Sequence, residues 1–498
     1  MLNAFSLSPR SFLFCLCCAV ALALCGCFVL SPSQGGGQNV RFSGARKAVP
    51  ADVLLPPGYA IAVVAADLNF PSGICFDDRG GVYVIESGSR TRQPDLVRVN
   101  PDGTTTAIAS GAAAPWTGVD FYQGYFYVTA GGASDAEYSG SQPVTAASST
   151  DSDKPGSILK IDVHGKTTPL LENLPSYGES HATGPVVFGD GYLYFGQTSA
   201  TNAGVVDPGA SGPQFSRAHD IPGADIQLVG QNFQSTPTDV TGGFSAFGEP
   251  TAAGQTIPGQ IPCTGSVMRV PLAGGPPELV AWGFRAPIGV ARSPDEGVFV
   301  ADQQYEDRGT RPVSGCGDLL WSVSPGLWYG FPDFYAGIPL SASRQFSAVG
   351  KPPPQPLLAA YPNTPPKPAA VLPMHAGAAG LDFSRNPSFG HVGEVFIAEF
   401  GDTAPRCGKV LSPTGFDVVR VDISGGVSHV FAANKSGSGP ASKLGSAGIE
   451  RPIAARFDPS GDALYIVDFG IVTVGDDLQL QRHPGTGVLW KITREPGK

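Results

Sequence analysis

Residues Arg451 to Gly470 read RPIAARFDPSGDALYIVDFG. Two short apolar stretches with period-2 alternation flank a Pro-Ser-Gly turn, the pattern of an antiparallel strand pair of about five residues each. A further strand, GVLWKITR from Gly487, follows. Five earlier stretches repeat the pair: Pro71-SGICFDDRGGVYVIES, Trp116-TGVDFYQGYFYVTAGG, His181-ATGPVVFGDGYLYFGQTS, Arg285-APIGVARSPDEGVFVADQQ and His375-AGAAGLDFSRNPSFGHVGEVFIAEF. Closing strands follow these from Leu96, Gly156, Gly265, Gly317 and Gly415.

Two strands plus two make a four-stranded antiparallel blade, and six copies predict an all-β, six-bladed β-propeller. The last copy shows one clear closing strand, so GYAIAVVAADL from Gly58 is expected to close the ring with an N-terminal strand. Copy starts at 71, 116, 181, 285, 375 and 451 are unevenly spaced, which places insertions near 132–155, 200–262 and 340–370. Their Ser, Thr, Gly and Pro content reads as surface loop without a core of its own. The propeller is expected over 55–498.

The rest of the composition agrees. Of 498 residues, 66 are Gly and 47 Pro, the signature of many tight turns. A net charge of −10 with no basic run argues against a nucleic-acid partner.

The first 27 residues read as an export signal, with Arg10 before an apolar run from Phe12 to Gly26. That run is too short to span a bilayer comfortably. It ends Leu24-Cys25-Gly26-Cys27, similar to a bacterial lipobox, so Cys27 is expected to carry a lipid that holds an exported protein at a periplasmic or cell-surface membrane. Residues 28–54, with Gly35-Gly36-Gly37, read as a flexible tether. Four cysteines lie beyond this segment; Cys316 and Cys407, both in Gly-rich loops after a strand, are the expected disulfide pair, and Cys75 a buried thiol.

Several stretches resemble, in order, the blocks of the glucose/sorbosone dehydrogenase family, six-bladed quinoproteins that use pyrroloquinoline quinone (PQQ) and calcium. They are the His181 block, Gly283-FRAPIG, Gly315-CGD with Trp328-YGFP, and Glu450-RP with FDPSGDALYIVD from Phe457. The resemblance implies oxidation of an aldose or sorbosone-type sugar. His181 would be the base that takes the hydroxyl proton, with hydride passing to the quinone. Arg285 would approach the quinone oxygens and Arg451 a cofactor carboxylate. Gln197 stands where the family orients its His with Asp, and Asp318 where it places an Asp-Glu pair, making Asp318 the candidate metal ligand. Leu372-PMHAGAAGL resembles a sorbosone-type block and adds His375 as a cofactor-binding candidate.

Departures from the family pattern are Ala286 and Ile288, which offer no side-chain hydrogen bond, and Leu319 beside Asp318. Other acids near the expected mouth are Asp302, Glu399, Asp402 and Asp468. Positions 181, 285, 375 and 451 all head a repeat, so the ring is expected to gather them at one mouth as a cationic patch for an anionic ligand. The alternative is a propeller that binds a ligand or protein without chemistry. A lactonase-type metal hydrolase would need a central Glu/Asn/Asp set, and none is assignable.

Overall fold

The computed structural model describes residues 32–88, 93–111, 115–131, 155–176, 183–207, 219–475 and 479–495. The export segment, Cys27, His181 and nearly all of the 132–155 insertion lie outside them.

Six antiparallel sheets form the blades of a β-propeller. Each begins with a repeat's strand pair: 71–76 with 82–86, 116–122 with 125–130, 183–189 with 192–197, 286–292 with 298–303, 378–383 with 395–399, and 452–457 with 463–468. Blade six is completed by Gly487–Arg494 and then by Tyr59–Leu68, so the N-terminal strand closes the ring as expected.

The core is divided into six wedges, one between each pair of neighbouring blades. Blades five and six, for example, share Phe396, Val418 and Phe431 with Ala455, Leu464 and Trp490. The joint that closes the circle packs Ile74, Val84 and Val97 of blade one on Tyr465, Val467 and Leu489 of blade six. At the hub the inner strands nearly touch. Gly73, Gly118, Gly289, Gly380 and Ala454 hold equivalent places in five of the six repeats, with Pro185 at that place in the third. A Cβ on Gly118 would fall 2.3 Å from Pro185 Cα, and one on Gly289 2.0 Å from the Ala379 carbonyl oxygen, each on the next blade. Small residues recur there because only they let adjacent backbones approach so closely.

Four expectations fail in detail. Blade five has a fifth strand, Val53–Leu54, on its outer edge. Blade four takes its outermost strand from Ala370–Val371, not from the stretch after Gly317. That stretch turns outward, where Trp328 packs with Trp282, Leu228, Phe244 and Leu357. The 200–262 and 340–370 insertions therefore bury apolar residues together and are not plain surface loop. The fourth failure is the tether: its residues 35–37 are buried against blades five and six.

Candidate functional site

The second strand of a blade ends beside the head of the first, and the acids there serve the backbone. Asp302 accepts the Ala286 N–H at 2.6 Å, and Asp468 accepts those of Arg451 and Glu450 at 2.9 Å each. Asp402 takes N–H groups from Gly36, Ala404 and Thr414. Asp318 engages one carboxylate oxygen with the Gln304 N–H and the other with that of Ala378, tying blade four to blade five. It does not present the oxygen expected of a cation ligand, and the described residues contain no cluster of three His, Cys, Asp or Glu able to hold a metal. Calcium therefore does not fit the side-chain donors of the described residues.

Along the hub runs a cavity of about 600 Å³, within the usual range for small-molecule sites. All six inner strands line it, through residues including Ile74, Val119, Val186, Ile288, Leu381 and Ala454. Its far end is occupied by Arg456, paired with Asp120 at 2.8 Å and with Asp382 at 3.8 Å. At the end where the repeats begin, the wall carries Arg285, Arg308, Arg406 and Arg482 against two acids, Asp207 and Glu306.

Arg285 donates to Asn202 at 3.3 Å and pairs with Glu306 at 3.4 Å, while its buried Nε has no partner among the described residues. Arg308 pairs with Glu306 and with Asp207. Burial opposes charge on Glu306, but Arg308 and Arg285 overcome it and hold the carboxyl at about 2. Both acids are thus matched to Arg308 and Arg285, and Arg406 and Arg482 bring two more guanidinium groups to the same wall. A wall this rich in guanidinium groups suits an anionic ligand.

Of the expected site residues, Arg285 is in this wall. Arg451 is not: it is fully buried, donates Nη1 to the carbonyls of Phe400, Gly401 and Asp402, and lies between the rings of Phe400 and Phe416. Burial draws its pKa down to about 10. His375 is half-buried in a left-handed conformation, φ 64°, close enough to Glu306 and Asp318 to act on their charges, but it does not line the cavity. Gln197 is buried, accepting from Thr183 Oγ1 at 2.9 Å and donating to the Pro175 carbonyl at 2.8 Å. Arg285 and Arg451 are therefore not brought to a common surface.

Cys316 and Cys407 are free and buried, as are Cys75 and Cys263, so the expected disulfide is absent. Cys316 lies in the wedge between blades three and four and Cys407 in a separate cluster with Ala404 and Val410.

Asn202, Glu306, Arg308, Arg406 and Arg482 were not visible from the repeats. They sit on loops after second strands, where length and sequence vary from blade to blade. The one available signal was the charged run Glu306-Asp307-Arg308 directly after blade four's strand pair.

No protein-family model matches the sequence, and no curated protein does. Solved structures share the fold. A Trichoderma reesei protein of carbohydrate-active enzyme family AA12 is 14% identical with TM-score 0.54, the match covering 91% of this chain and all of that one. The PQQ domain of a pyranose dehydrogenase from Coprinopsis cinerea, in its holo form, is 13% identical with TM-score 0.54, over 93% of this chain and 100% of that one. Escherichia coli soluble aldose sugar dehydrogenase, in its apo form, is 14% identical with TM-score 0.50, over 88% and 99%.

Proposed function

We propose that the chain is a PQQ-dependent sugar dehydrogenase of the six-bladed type, acting on an aldose or sorbosone-type substrate. The observation that carries this reading is the Arg-rich wall of the hub cavity, which suits an anionic, small-molecule-sized cofactor, with Arg285 Nε left without a partner among the described residues. PQQ is a tricarboxylate, and bound there it would supply an electron-poor carbonyl that accepts a hydride.

Arg285 and Arg406 would hold its acidic oxygens, fixed cations being most effective where water is excluded. His181, at the head of the third repeat, would take the proton from the sugar hydroxyl, since an imidazole is the side chain suited to that transfer near neutral pH. Gln197 would act as a positioning residue, joining Thr183 to Pro175 next to the head of the third repeat. Glu306 sets how strongly Arg285 and Arg308 are neutralised. Calcium has no part in the proposal, given the engaged oxygens of Asp318.

The export segment and Cys27 complete the reading: a lipoprotein working outside the cytoplasm, held at the membrane by its acyl chain. Cys27→Ser should move it from the membrane to the soluble fraction.

A second reading is a propeller that binds an anion without turning it over. The seclusion of Arg451 and the apolar Ala286 and Ile288 favour it. Calorimetric titration with PQQ, followed by reduction of a dye across a panel of aldoses, separates the two. Binding with turnover supports the dehydrogenase, binding alone the second reading, and neither would end the dehydrogenase reading.

A further inference from the structure

Gly35, Gly36 and Gly37 are buried; at Gly35 and Gly36 no side chain fits, and at Gly37 one would be tight. A Cβ on Gly36 would sit 2.1 Å from the Phe416 ring, and one on Gly35 2.5 Å from the Asp402 carboxylate. On Gly37 it would meet Val474 at 3.0 Å and Arg451 Nη2 at 3.2 Å. Glycine is present here for close approach, not for flexibility.

The segment is bonded on both sides. Towards one loop, the Gln34 N–H donates to the Val410 carbonyl at 2.9 Å and the Gly36 N–H to Asp402 at 3.1 Å. Towards the other, the Gly37 carbonyl accepts from the Val474 N–H at 2.8 Å. Lys443 Nζ locks it from outside, donating to the carbonyls of Gly35 at 2.8 Å and Gln38 at 2.9 Å.

The two loops it joins are the ones that enter the cavity wall from blades five and six. Residues 400–416 carry Arg406, and the 472–474/480–482 hairpin carries Arg482. We infer that residues 33–38 are a strap that positions the cationic rim of the hub cavity, holding Arg406 and Arg482 in register with each other from behind. This deepens the functional reading above and rests on it only for the identity of the ligand.

The test uses the full chain carrying Gly36→Val, with Gln34→Ala as a control that keeps the backbone bond, and Lys443→Met as a milder variant in case Gly36→Val fails to fold. Amide hydrogen exchange in 402–414 and 472–474 should quicken at least about fivefold in Gly36→Val, and less in Lys443→Met, with blades one to three unchanged. Modification of Arg406 and Arg482 by phenylglyoxal, mapped by peptide mass, should change rate in step, and affinity for PQQ should fall by about the same factor. Unchanged exchange and unchanged arginine reactivity would overturn the strap, as would faster exchange with unaltered PQQ affinity. Wild-type protein that ignores PQQ, while the exchange and phenylglyoxal arms behave as expected, would sink the cofactor assignment and leave the strap standing.

Discussion

Trp321 Nε1 donates to Asp302 at 3.1 Å, and two blades on Trp490 Nε1 makes the same contact with Asp468 at 3.3 Å. In each case the Trp is on the third strand and the Asp ends the second, while the Asp also holds the N–H at the head of the first. One carboxylate thus pins three strands of its blade at the end where the cavity opens.

Trp321→Phe keeps most of the buried ring and removes one donor from Asp302. The Ala286 N–H and Gln304 Nε2 still serve that carboxylate, so the expected loss is about 1–3 kcal/mol, read as a lower urea midpoint. Asp302→Ala should cost more, because it orphans three donors together. Equal effects of the two changes would contradict the pinning role.

Gly289→Ala tests the hub. Its added methyl would be 2.0 Å from the Ala379 carbonyl oxygen, backbone of the next blade, which has no flexible end to give way. A destabilisation of about 1–3 kcal/mol is expected from overpacking. Gly124→Ala, in an open turn with no atom within 4 Å of the new Cβ but at φ 81°, should show only backbone strain. If Gly124→Ala is the worse of the two, close approach of the inner strands is not what the small residues serve.

The blades were legible because each repeats the same alternation and turn, and five of the six inner strands repeat a small residue where they meet a neighbour. Blade order, ring closure through Gly58–Leu68 and the height of Arg285 all follow from that repetition. The site was legible only in part. Arg451 sits at the expected place in its repeat, yet a segment more than 400 residues away in sequence packs against it. Gly35-Gly36-Gly37 looked flexible because composition does not distinguish a glycine needed for freedom from one needed for space. Arg406 and Arg482 lie on loops of unequal length, which no repeat alignment places.

Glu399 and Asp417 face each other across neighbouring strands of blade five, and burial together with the other's charge raises Glu399 well above the ordinary carboxylate range. Asp417 is raised as well, chiefly by burial. A carboxyl whose folded pKa lies above its unfolded value binds more protons folded than unfolded, so stability falls as pH rises from about 4.5 towards the folded pKa. Glu399→Gln should flatten that fall and stabilise the protein at pH 8 relative to wild type, while leaving it near wild type at pH 4. Unfolding midpoints at the two pH values decide it; an unchanged slope in the variant would show that the pair does not share its proton.

Glu306 gives the sharpest test of the cavity's charge. It is held ionised by Arg308 and Arg285, so Glu306→Gln should release the Arg285 guanidinium towards a bound anion, while Arg308 keeps Asp207. Affinity for PQQ is expected to rise several-fold, and Arg285→Met to lower it about tenfold or more, since a hydrogen bond to a charged group contributes about 1.5–3 kcal/mol. Both effects should shrink in high salt, though less than for exposed charges, because the pair is largely shielded from water. Titration calorimetry on the two variants reads the sign directly. Weaker binding in Glu306→Gln would mean that this carboxylate contacts the ligand as an acceptor, and the wall would then have to be reassigned to a neutral, hydroxyl-rich occupant.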